Sequence, residues 1–458
     1  MSGPSACVTL ALASSKSRES ESDAYYSACD AAKKRYLEAL AAKINVEALR
    51  SVAASARGGN IPCQIPAFDT HFDDPADRIT LIASQCGGQN CHLDIEFNDG
   101  VTWIARIRLN DPMLPPPSIQ ARIFESEIAT LEFLAGTKVP APQIYAYALE
   151  SEKNPVGTSY VLMEKMAGEP LDWNDASPEQ RNKIMEQLAD VYLELEAHPF
   201  QLTGSLTSKI SDSTAETCAN QTEMGSFAQV QCFETPERGL GPFKTLGTAY
   251  TAIIRQQMQT LATHEVSTLP LDNYLTFLWR LKVLPDLIAN SASREGPFYL
   301  KHFDDKGDHI LVDEDYNITA IIDWEFASTE SKELAFSSPC MMWPVGEFYD
   351  GDNDLAEAEL QFAAIFDARG REEIGDLVRR GRRWQRFLFF LGGGIPGDMS
   401  ELEALFQGLR KSCAQGKDSI SSYSEWKASF LRDSAMGDAQ VQALVQYEQE
   451  LARRSSSK

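Results

Sequence analysis

The sequence is poor in basic residues. Its 458 residues include 42 lysines and arginines against 66 aspartates and glutamates, a formal net charge of −24. A chain this acidic is a poor match for the phosphates of a nucleic acid or for an anionic membrane surface, so we expect neither as its main partner. The charge would suit a cationic ligand, although it also serves simply to keep a protein soluble.

Long apolar runs are absent as well. The apolar stretch FLFFL at 387–391 is far shorter than the roughly 20 residues of a membrane-spanning helix. The short apolar patch near the start has no basic residue before it, which argues against a secretory signal. The nine cysteines show no Cys-x-x-Cys pair and no Cys/His set at zinc-finger spacing. We therefore expect a cytoplasmic protein with reduced thiols.

The residue pattern of the N-terminal part changes twice, from serine-rich to helical and then to alternating. Residues 1–24 are rich in serine and are expected to form a disordered tail. Residues 25–79 predict a helical extension, from Tyr25 to about Ala56, followed by a Pro- and Asp-rich loop over 62–80. Over 80–166 the apolar residues alternate, and the pattern predicts the order β-β-α-β-β.

Helical spacing dominates residues 167–458. The segment SPEQ at 177–180 carries a capping-box signature and predicts a helix that ends near Ala197. Residues 203–246 show little periodicity and are interpreted as a long insertion. Two short β-strands then interrupt the helices at 298–327.

That segment contains KHFDDKGDHILVDEDYNITAIIDWE, residues 301–325. The run DEDYN resembles the opening of a calcium loop, but Ile318 stands where the required Gly belongs and Trp324 stands at the twelfth position, so we exclude an EF-hand. It is better interpreted as a hairpin turn. A hairpin would bring Asp304, before its first strand, close to Asp323, after its second. Two such carboxylates repel unless a cation lies between them, and magnesium with phosphate suits them; two surface aspartates are the alternative.

The whole segment resembles the catalytic motif of the aminoglycoside phosphotransferase and choline kinase-like family, in the form common among fungal proteins. The resemblance implies an α+β, bilobal protein kinase-like fold, with a small N-terminal antiparallel β-sheet lobe at 80–166 and a large, mainly helical C-terminal lobe at 167–458. It places His302 and Asp304 on the catalytic His and Asp of the motif, and Asp323 on its metal-binding Asp.

Two further segments resemble the family's phosphate-positioning elements. WIARI at 103–107 places Arg106 where many relatives have Lys, and ESEIATLEFLAG at 125–136 aligns Glu127 with an ion-pairing Glu. Arg106 faces away from its neighbours Ala105 and Ile107, because side chains alternate along a strand. Glu127 lies at the edge of an apolar helix face and is expected to pair with Arg106. The alternatives are a solvated glutamate and an arginine that faces solvent, as expected of Arg108.

The remaining nucleotide contacts rest on weaker patterns. Gly87 and Gly88 occupy the place of the nucleotide-covering turn, where backbone N–H groups could approach phosphate. A full G-x-G-x-x-G is missing, so a plain turn is equally compatible. SYVLMEKMAGEPL at 159–171 resembles the segment joining the lobes, and there Met163, Glu164 and Met166 would offer backbone groups to adenine.

The sequence departs from the family pattern at the metal site. His309 replaces the metal-binding Asn, and magnesium prefers oxygen to imidazole nitrogen. Asp308 beside it could take over that role, or Asp323 and phosphates alone could hold the ion. The family's later Asp has Glu333 as its nearest match. The resemblance thus implies an ATP- and Mg²⁺-dependent transferase acting on a hydroxyl of a small molecule, with a catalytically impaired nucleotide-binding protein as the alternative.

Overall fold

The structure, a computed structural model, describes residues 22–109, 114–208, 222–262, 267–389, 391, 396–413, 421–435 and 437–456. The tail predicted for 1–24 lies outside this range except for 22–24, which begin the first helix. The described residues form two compact units. The first takes in the described residues up to Pro117 together with Pro142–Lys165, and the second takes in Ser118–Ala141 and the described residues from Met166 onward.

The first unit is built on one antiparallel sheet with the strand order β1-β2-β3-β5-β4. Its strands are β1 (Cys63–Gln64), β2 (Asn90–Phe97), β3 (Thr102–Arg108), β4 (Ile144–Ala148) and β5 (Tyr160–Glu164). Its helices are α1 (Ser22–Lys43), α2 (Val46–Arg57), α3 (Pro66–Asp69) and α4 (Pro75–Ser84). The predicted order of the strands around one helix, α5 (Pro117–Leu134), is confirmed, although α5 clusters with the second unit from Ser118 onward.

Alternation along the central strands decides which face of this sheet is buried. In β3, Trp103, Ala105 and Ile107 pack with apolar residues from helices α1 and α2 in one core. Trp103 also stacks on Tyr145 of β4, with ring centroids 3.8 Å apart. Because every second residue joins this core, the intervening Arg106 lies on the opposite side of the strand.

For the N-terminal region, the predicted helical segment is confirmed with one break, as α1 and α2, whereas the predicted loop is wrong. The helix predicted over 25–56 is interrupted at Asn45, whose extended backbone and side-chain bond to the Ala48 N–H begin α2. The loop predicted over 62–80 contains β1, α3 and α4. Asp74 caps α4 by accepting from the Ala76 N–H (2.8 Å), and Pro75 occupies the first turn, so Asp and Pro here start a helix.

The second unit is mainly helical. Its long helices are α5, α6 (Pro178–Glu196), α7 (Leu246–Ala262), α8 (Pro270–Ile288), α11 (Glu357–Ala368), α14 (Met399–Cys413) and α16 (Ala439–Ser456). Its shorter helices are α9 (Lys332–Ala335), α10 (Val345–Tyr349), α12 (Glu372–Arg380), α13 (Arg382–Leu388) and α15 (Tyr423–Phe430). The predicted capping box is confirmed at the start of α6, where Ser177 and Gln180 exchange backbone-to-side-chain bonds of 2.7 and 3.3 Å.

Short strands connect these helices. They are β6 (Glu169–Pro170), β7 (Ser205–Thr207), β8 (Glu223–Gly225), β9 (Phe233–Thr235), β10 (Arg238–Gly239), β11 (Tyr299–Lys301), β12 (Ile310–Val312), β13 (Ile318–Ile321) and β14 (Ser328–Glu330). The segment 203–246, predicted to be an insertion, holds β7 to β10 in its described part; residues 209–221 lie outside the description. One large core of this unit gathers residues of α7, α8, α13, α14, α15 and α16.

These elements confirm the predicted α+β, kinase-like fold class, with a small antiparallel sheet and a larger helical part. The domain boundaries at 80 and 166 stay predictions, because the two units interleave along the chain. Among the described helices, none has both the length and the apolar character needed to cross a bilayer.

Candidate active site

The predicted hairpin β12–β13 positions the site. Ile310 pairs with Ile321 and Val312 with Ile318, and the Ile322 N–H donates to the His309 carbonyl at 2.9 Å. Asp313 closes the turn by accepting from the backbone N–H groups of residues 315 and 317, as expected of an Asp in a turn. The residues just before β12 and just after β13 therefore lie side by side.

Three side chains meet at this end of the hairpin: Asp304, His309 and Asp323. Each offers one ligand atom, and these atoms all lie within 4.8 Å of one another. The Asp304 and Asp323 side chains are 44% and 42% exposed, so ligands can reach them from solvent, whereas the His309 side chain is only 14% exposed. Two carboxylates and one imidazole form a donor set that suits a divalent cation.

A backbone carbonyl fixes the orientation of the His309 ring. Its Nδ1 lies 2.8 Å from the Asp304 backbone carbonyl, and a carbonyl only accepts, so Nδ1 carries the proton. In a neutral ring the lone pair then lies on Nε2, which is 3.5 Å from Asp323 Oδ2. A backbone carbonyl that sets the tautomer in this way is the usual support of a metal-binding histidine.

Asp323 adopts a backbone conformation that few residues tolerate. Its φ is +60°, in the left-handed region, and Phe326 three residues later has φ of +67°. Asp is among the residues that enter this region most readily, but the conformation still costs energy and concentrates at functional sites. The Trp324 indole, which donates to the Ile321 carbonyl at 2.8 Å and is buried, holds the backbone in place.

His302 supports the same backbone from the interior. Its Nε2 lies 2.9 Å from the Ile322 carbonyl, and its ring meets Trp324 edge-to-face with centroids 4.7 Å apart. Its Nδ1 is buried without a hydrogen-bond partner in the described part of the chain. Burial lowers the pKa of this imidazole, so the ring is neutral. These contacts place His302 behind Asp323, and its role stays a prediction.

Two lysines hold the loop that carries Asp304. Lys301 pairs with Asp305 (2.5 Å), whose other oxygen accepts from the Cys340 N–H (2.8 Å), so Asp305 is anchored on both sides. Lys306 pairs with Asp304 Oδ2 at 3.1 Å. Partial burial acts to lower the pKa of Lys306, but the hydrogen bond and charge of Asp304 outweigh it and raise that pKa.

Asp308 and Glu333, the other acidic candidates, lie outside the cluster. Asp308 is exposed on the turn before β12 and is not among the three converging side chains. Glu333 accepts from the Ser291 hydroxyl (2.9 Å) and the Ala292 N–H (2.7 Å), and these bonds hold the segment at residues 291–292.

The residues predicted to position phosphate divide between the two units. Arg106 lies in the first unit, buried, with His92 and Val161 as its partners across the strands. Glu127 lies on α5 in the second unit and is 1% exposed, so the solvated alternative for it is wrong. Their ion pair stays a prediction. Arg108, expected to face solvent, is instead buried, and its guanidinium donates to Gln89 Oε1 at 2.6 Å.

The weaker nucleotide-binding candidates have ordinary local surroundings. The Gly87 N–H donates to the Asn90 carbonyl at 2.8 Å, and Gly88 has open space where a side chain would be. The Glu164 N–H is already bonded to the Gln143 carbonyl at 2.8 Å. Met163 is buried in β5 and Met166 is partly exposed. Their roles toward a nucleotide stay predictions.

A cavity of about 1030 Å³ in the second unit opens beside Asp304. Most residues that line this cavity could not be predicted from the sequence, because they come from segments far apart in the chain. They include Gln229 and Phe233 from the segment predicted as an insertion, Phe326 after the hairpin, and Tyr349 and Phe389 from the C-terminal helices. Of these five, only Phe326 lies beside the motif, which itself contributes Asp304 and Lys306 to the wall.

Sequence comparison finds relatives over part of the chain. A subtelomeric hrmA-associated cluster protein of Aspergillus fumigatus strain CBS 144.89 is 40% identical over 126 residues, which are 27% of this chain and 24% of that protein. Its counterpart in strain ATCC MYA-4609 is 40% identical over 123 residues, 26% of this chain and 23% of that protein. The match thus spans about a quarter of the length of these relatives.

Several solved structures are similar to this chain at low identity. A putative aminoglycoside phosphotransferase from Ralstonia eutropha matches with 16% identity and a TM-score of 0.43, covering 87% of this chain and 93% of that one. An ethanolamine kinase of Plasmodium vivax matches with 14% identity and a TM-score of 0.43, covering 76% and 78%.

The sequence profile of the phosphotransferase enzyme family matches residues 95–330, just over half of the chain. The matched range runs from β2 through the hairpin and includes Asp304, His309 and Asp323. The chain belongs to the phosphotransferase enzyme family.

Proposed function

We propose that this protein transfers the γ-phosphoryl group of ATP to a hydroxyl of a small molecule. The observation that carries the proposal is the meeting of Asp304, His309 and Asp323, the first of which also lines a large cavity. Phosphoryl transfer requires little covalent chemistry from the protein; it requires positioning and neutralised charge. A cluster that can hold a cation, next to a carboxylate facing a cavity, supplies both.

Asp304 is the residue that receives the acceptor. Its side chain is part of the cavity wall and is 44% exposed, so a bound hydroxyl can approach it. In this role the carboxylate orients the hydroxyl and takes its proton as the oxygen attacks phosphorus. Lys306, at 3.1 Å from Oδ2, holds the carboxylate, and in this role its ammonium group would also contact the transferred phosphoryl group.

Asp323 and His309 are the residues that would hold a divalent cation. The donor set fits, since a carboxylate oxygen and the Nε2 lone pair of His309 face each other. A bound divalent ion would neutralise charge on the phosphates during transfer. The imidazole suits Mn²⁺ at least as well as Mg²⁺. We assign His302 a positioning role, because it holds the Ile322 carbonyl next to Asp323. ATP, Mg²⁺ and a cytoplasmic location remain part of this proposal.

Replacing one carboxylate tests the assignment. Asp304→Asn should lower phosphoryl transfer by roughly 10²- to 10⁴-fold while nucleotide affinity is kept, because the amide cannot take a proton. Asp308→Asn is the matched control: the exposed Asp308 is four residues away and should leave turnover unchanged. The measurement is transfer of the labelled γ-phosphoryl group from ATP to each member of a panel of alcohols, phenols, amino-alcohols and sugars. Full activity of Asp304→Asn would contradict the role.

The alternative is a protein that binds nucleotide without transferring phosphate, and His309 at the family's Asn position is what favours it. The same assay separates the two. Thermal stabilisation by ATP with a divalent ion, but no transfer to any acceptor, would support the alternative.

A further inference from the structure

The cavity beside Asp304 has little net charge of its own. Among the described residues that line it, the carboxylates are Asp304 and Asp305 and the ammonium groups are Lys301 and Lys306. These four form two ion pairs, of 3.1 Å between Asp304 and Lys306 and 2.5 Å between Asp305 and Lys301. The net charge of −24 carried by the whole chain therefore does not extend into this cavity.

A cationic acceptor would find no counter-ion on these walls. To pair with Asp304 it would have to displace Lys306, and to pair with Asp305 it would have to displace both Lys301 and the Cys340 N–H. Burying an ammonium group without a partner is costly, and an amino-sugar with several of them would meet that cost repeatedly. The wall chemistry therefore argues against a polycation.

Apolar and aromatic side chains dominate the walls instead. They include Phe233, Phe303, Phe326, Trp343, Tyr349 and Phe389. Of the large apolar side chains that are most exposed in the described part of the chain, Val230 (43%) and Tyr349 (41%) border this cavity. Exposed apolar groups around an aromatic cavity are typical of a site for an apolar ligand.

Glutamine amides supply the polar contacts. The Gln256 side chain donates to the Phe233 carbonyl at 3.0 Å, and the Gln257 side chain donates to the Gln231 carbonyl at 3.2 Å. With the amide nitrogen fixed, each side chain has one orientation, and its oxygen is a neutral acceptor for a hydroxyl or N–H group. Neutral hydrogen-bonding groups on an apolar wall are suited to a neutral ligand with a few polar atoms.

We propose that this cavity takes a neutral, mainly apolar acceptor with fused or linked rings and one or more hydroxyl groups, and not an aminoglycoside or another polycation. The volume of about 1030 Å³ can enclose a molecule of several rings. This inference rests on the proposed function, since it names the substrate class of the same site. It differs from the expectation, drawn from the total charge alone, that a cationic acceptor would suit the protein.

Binding to the full chain tests the inference without requiring turnover. The probes are 2-naphthol, 4-phenylphenol and β-estradiol as neutral hydroxyl compounds, with kanamycin and choline as cations, each titrated by calorimetry at physiological salt. At least one neutral compound should bind, and both cations should bind more weakly than it does.

A matched pair of variants locates the binding. Val230→Asp places a charge at the cavity rim, and Leu360→Asp makes the same kind of change on α11, at a residue that is 50% exposed and outside the cavity walls. Val230→Asp should weaken binding of the neutral compound roughly fivefold or more, because it removes apolar contact and adds a charge. Leu360→Asp should leave it unchanged.

The outcomes separate this inference from the proposed function. Tighter binding of kanamycin or choline, no binding of any neutral compound, or equal effects of the two variants would overturn the inference. If Asp304-dependent phosphoryl transfer were still observed, the proposed function would stand alone. Binding of neutral compounds that is sensitive to Val230→Asp, in a protein that never binds nucleotide, would support the cavity's preference and overturn the phosphotransferase proposal.

Discussion

A buried carboxylate on β14 makes stability depend on pH. Glu330 is 3% exposed; it accepts from the Tyr250 hydroxyl at 2.9 Å and from the Ser328 hydroxyl at 3.0 Å. Burial raises its pKa from 4.5 to about 7, and the two hydrogen bonds only partly oppose this. The folded state therefore keeps a proton on Glu330 at pH values where the unfolded chain has lost it.

The sign and size of the effect follow from linkage. A raised folded-state pKa contributes stability that is fully present below pH 4.5 and is lost as the pH rises to about 7. One pH unit corresponds to about 1.4 kcal/mol, so the loss amounts to about 3 kcal/mol. Glu330→Gln keeps the group neutral at every pH. The free energy of unfolding of the variant, relative to that of the wild type, should therefore be about 3 kcal/mol higher at pH 8 than at pH 4.

Urea unfolding at a series of pH values measures this difference. The matched control is Glu357→Gln, which removes one negative charge from an exposed position on α11. A free-energy difference between Glu330→Gln and the wild type that stays constant across the pH range would refute the reasoning. The same refutation would follow if the control showed an equal pH dependence.

Three further substitutions test a buried ion pair and a helix cap in the second unit. Glu359→Ala should destabilise the second unit by about 3–5 kcal/mol. Glu359 pairs with Arg382 at 2.6 Å, both side chains are almost fully buried, and the substitution would leave the guanidinium without its carboxylate partner. A urea midpoint close to that of the wild type would contradict this. Ser177→Ala should cost about 1 kcal/mol through the lost cap of α6, and a Gln180→Ala variant of similar cost would agree with a reciprocal capping box.

Local signals predicted the parts of the fold that local chemistry determines. Alternating apolar residues located β2 and β3, and the Ser177 box located α6, because period and capping act over a few residues. Helical periodicity alone did not predict the break before Asn45, where a capping side chain starts a second helix. The prediction also failed at Asp74 and Pro75, since these residues are as common at helix starts as in loops.

The candidate site was predictable only where the motif is contiguous. The spacing of Asp304 and Asp323 around a hairpin was enough to expect them together. The family resemblance placed His309 at the metal-binding Asn position, but its exact place between the two carboxylates depends on the turn Gly307–His309 and on a bond to the Asp304 backbone. The cavity walls could not be predicted, since residues as far apart in the chain as Phe233 and Phe389 line the same cavity only through tertiary packing.

The proposed activity requires Asp304, His309 and Asp323 to act as one centre for a divalent ion and a nucleotide. A crystal structure of the full chain with Mn²⁺ and a non-hydrolysable ATP analogue, recorded with anomalous scattering, tests this directly. We expect a manganese peak within bonding distance of Asp323 and His309 Nε2, with the terminal phosphate facing Asp304. A manganese ion and triphosphate bound away from these three residues would contradict the account.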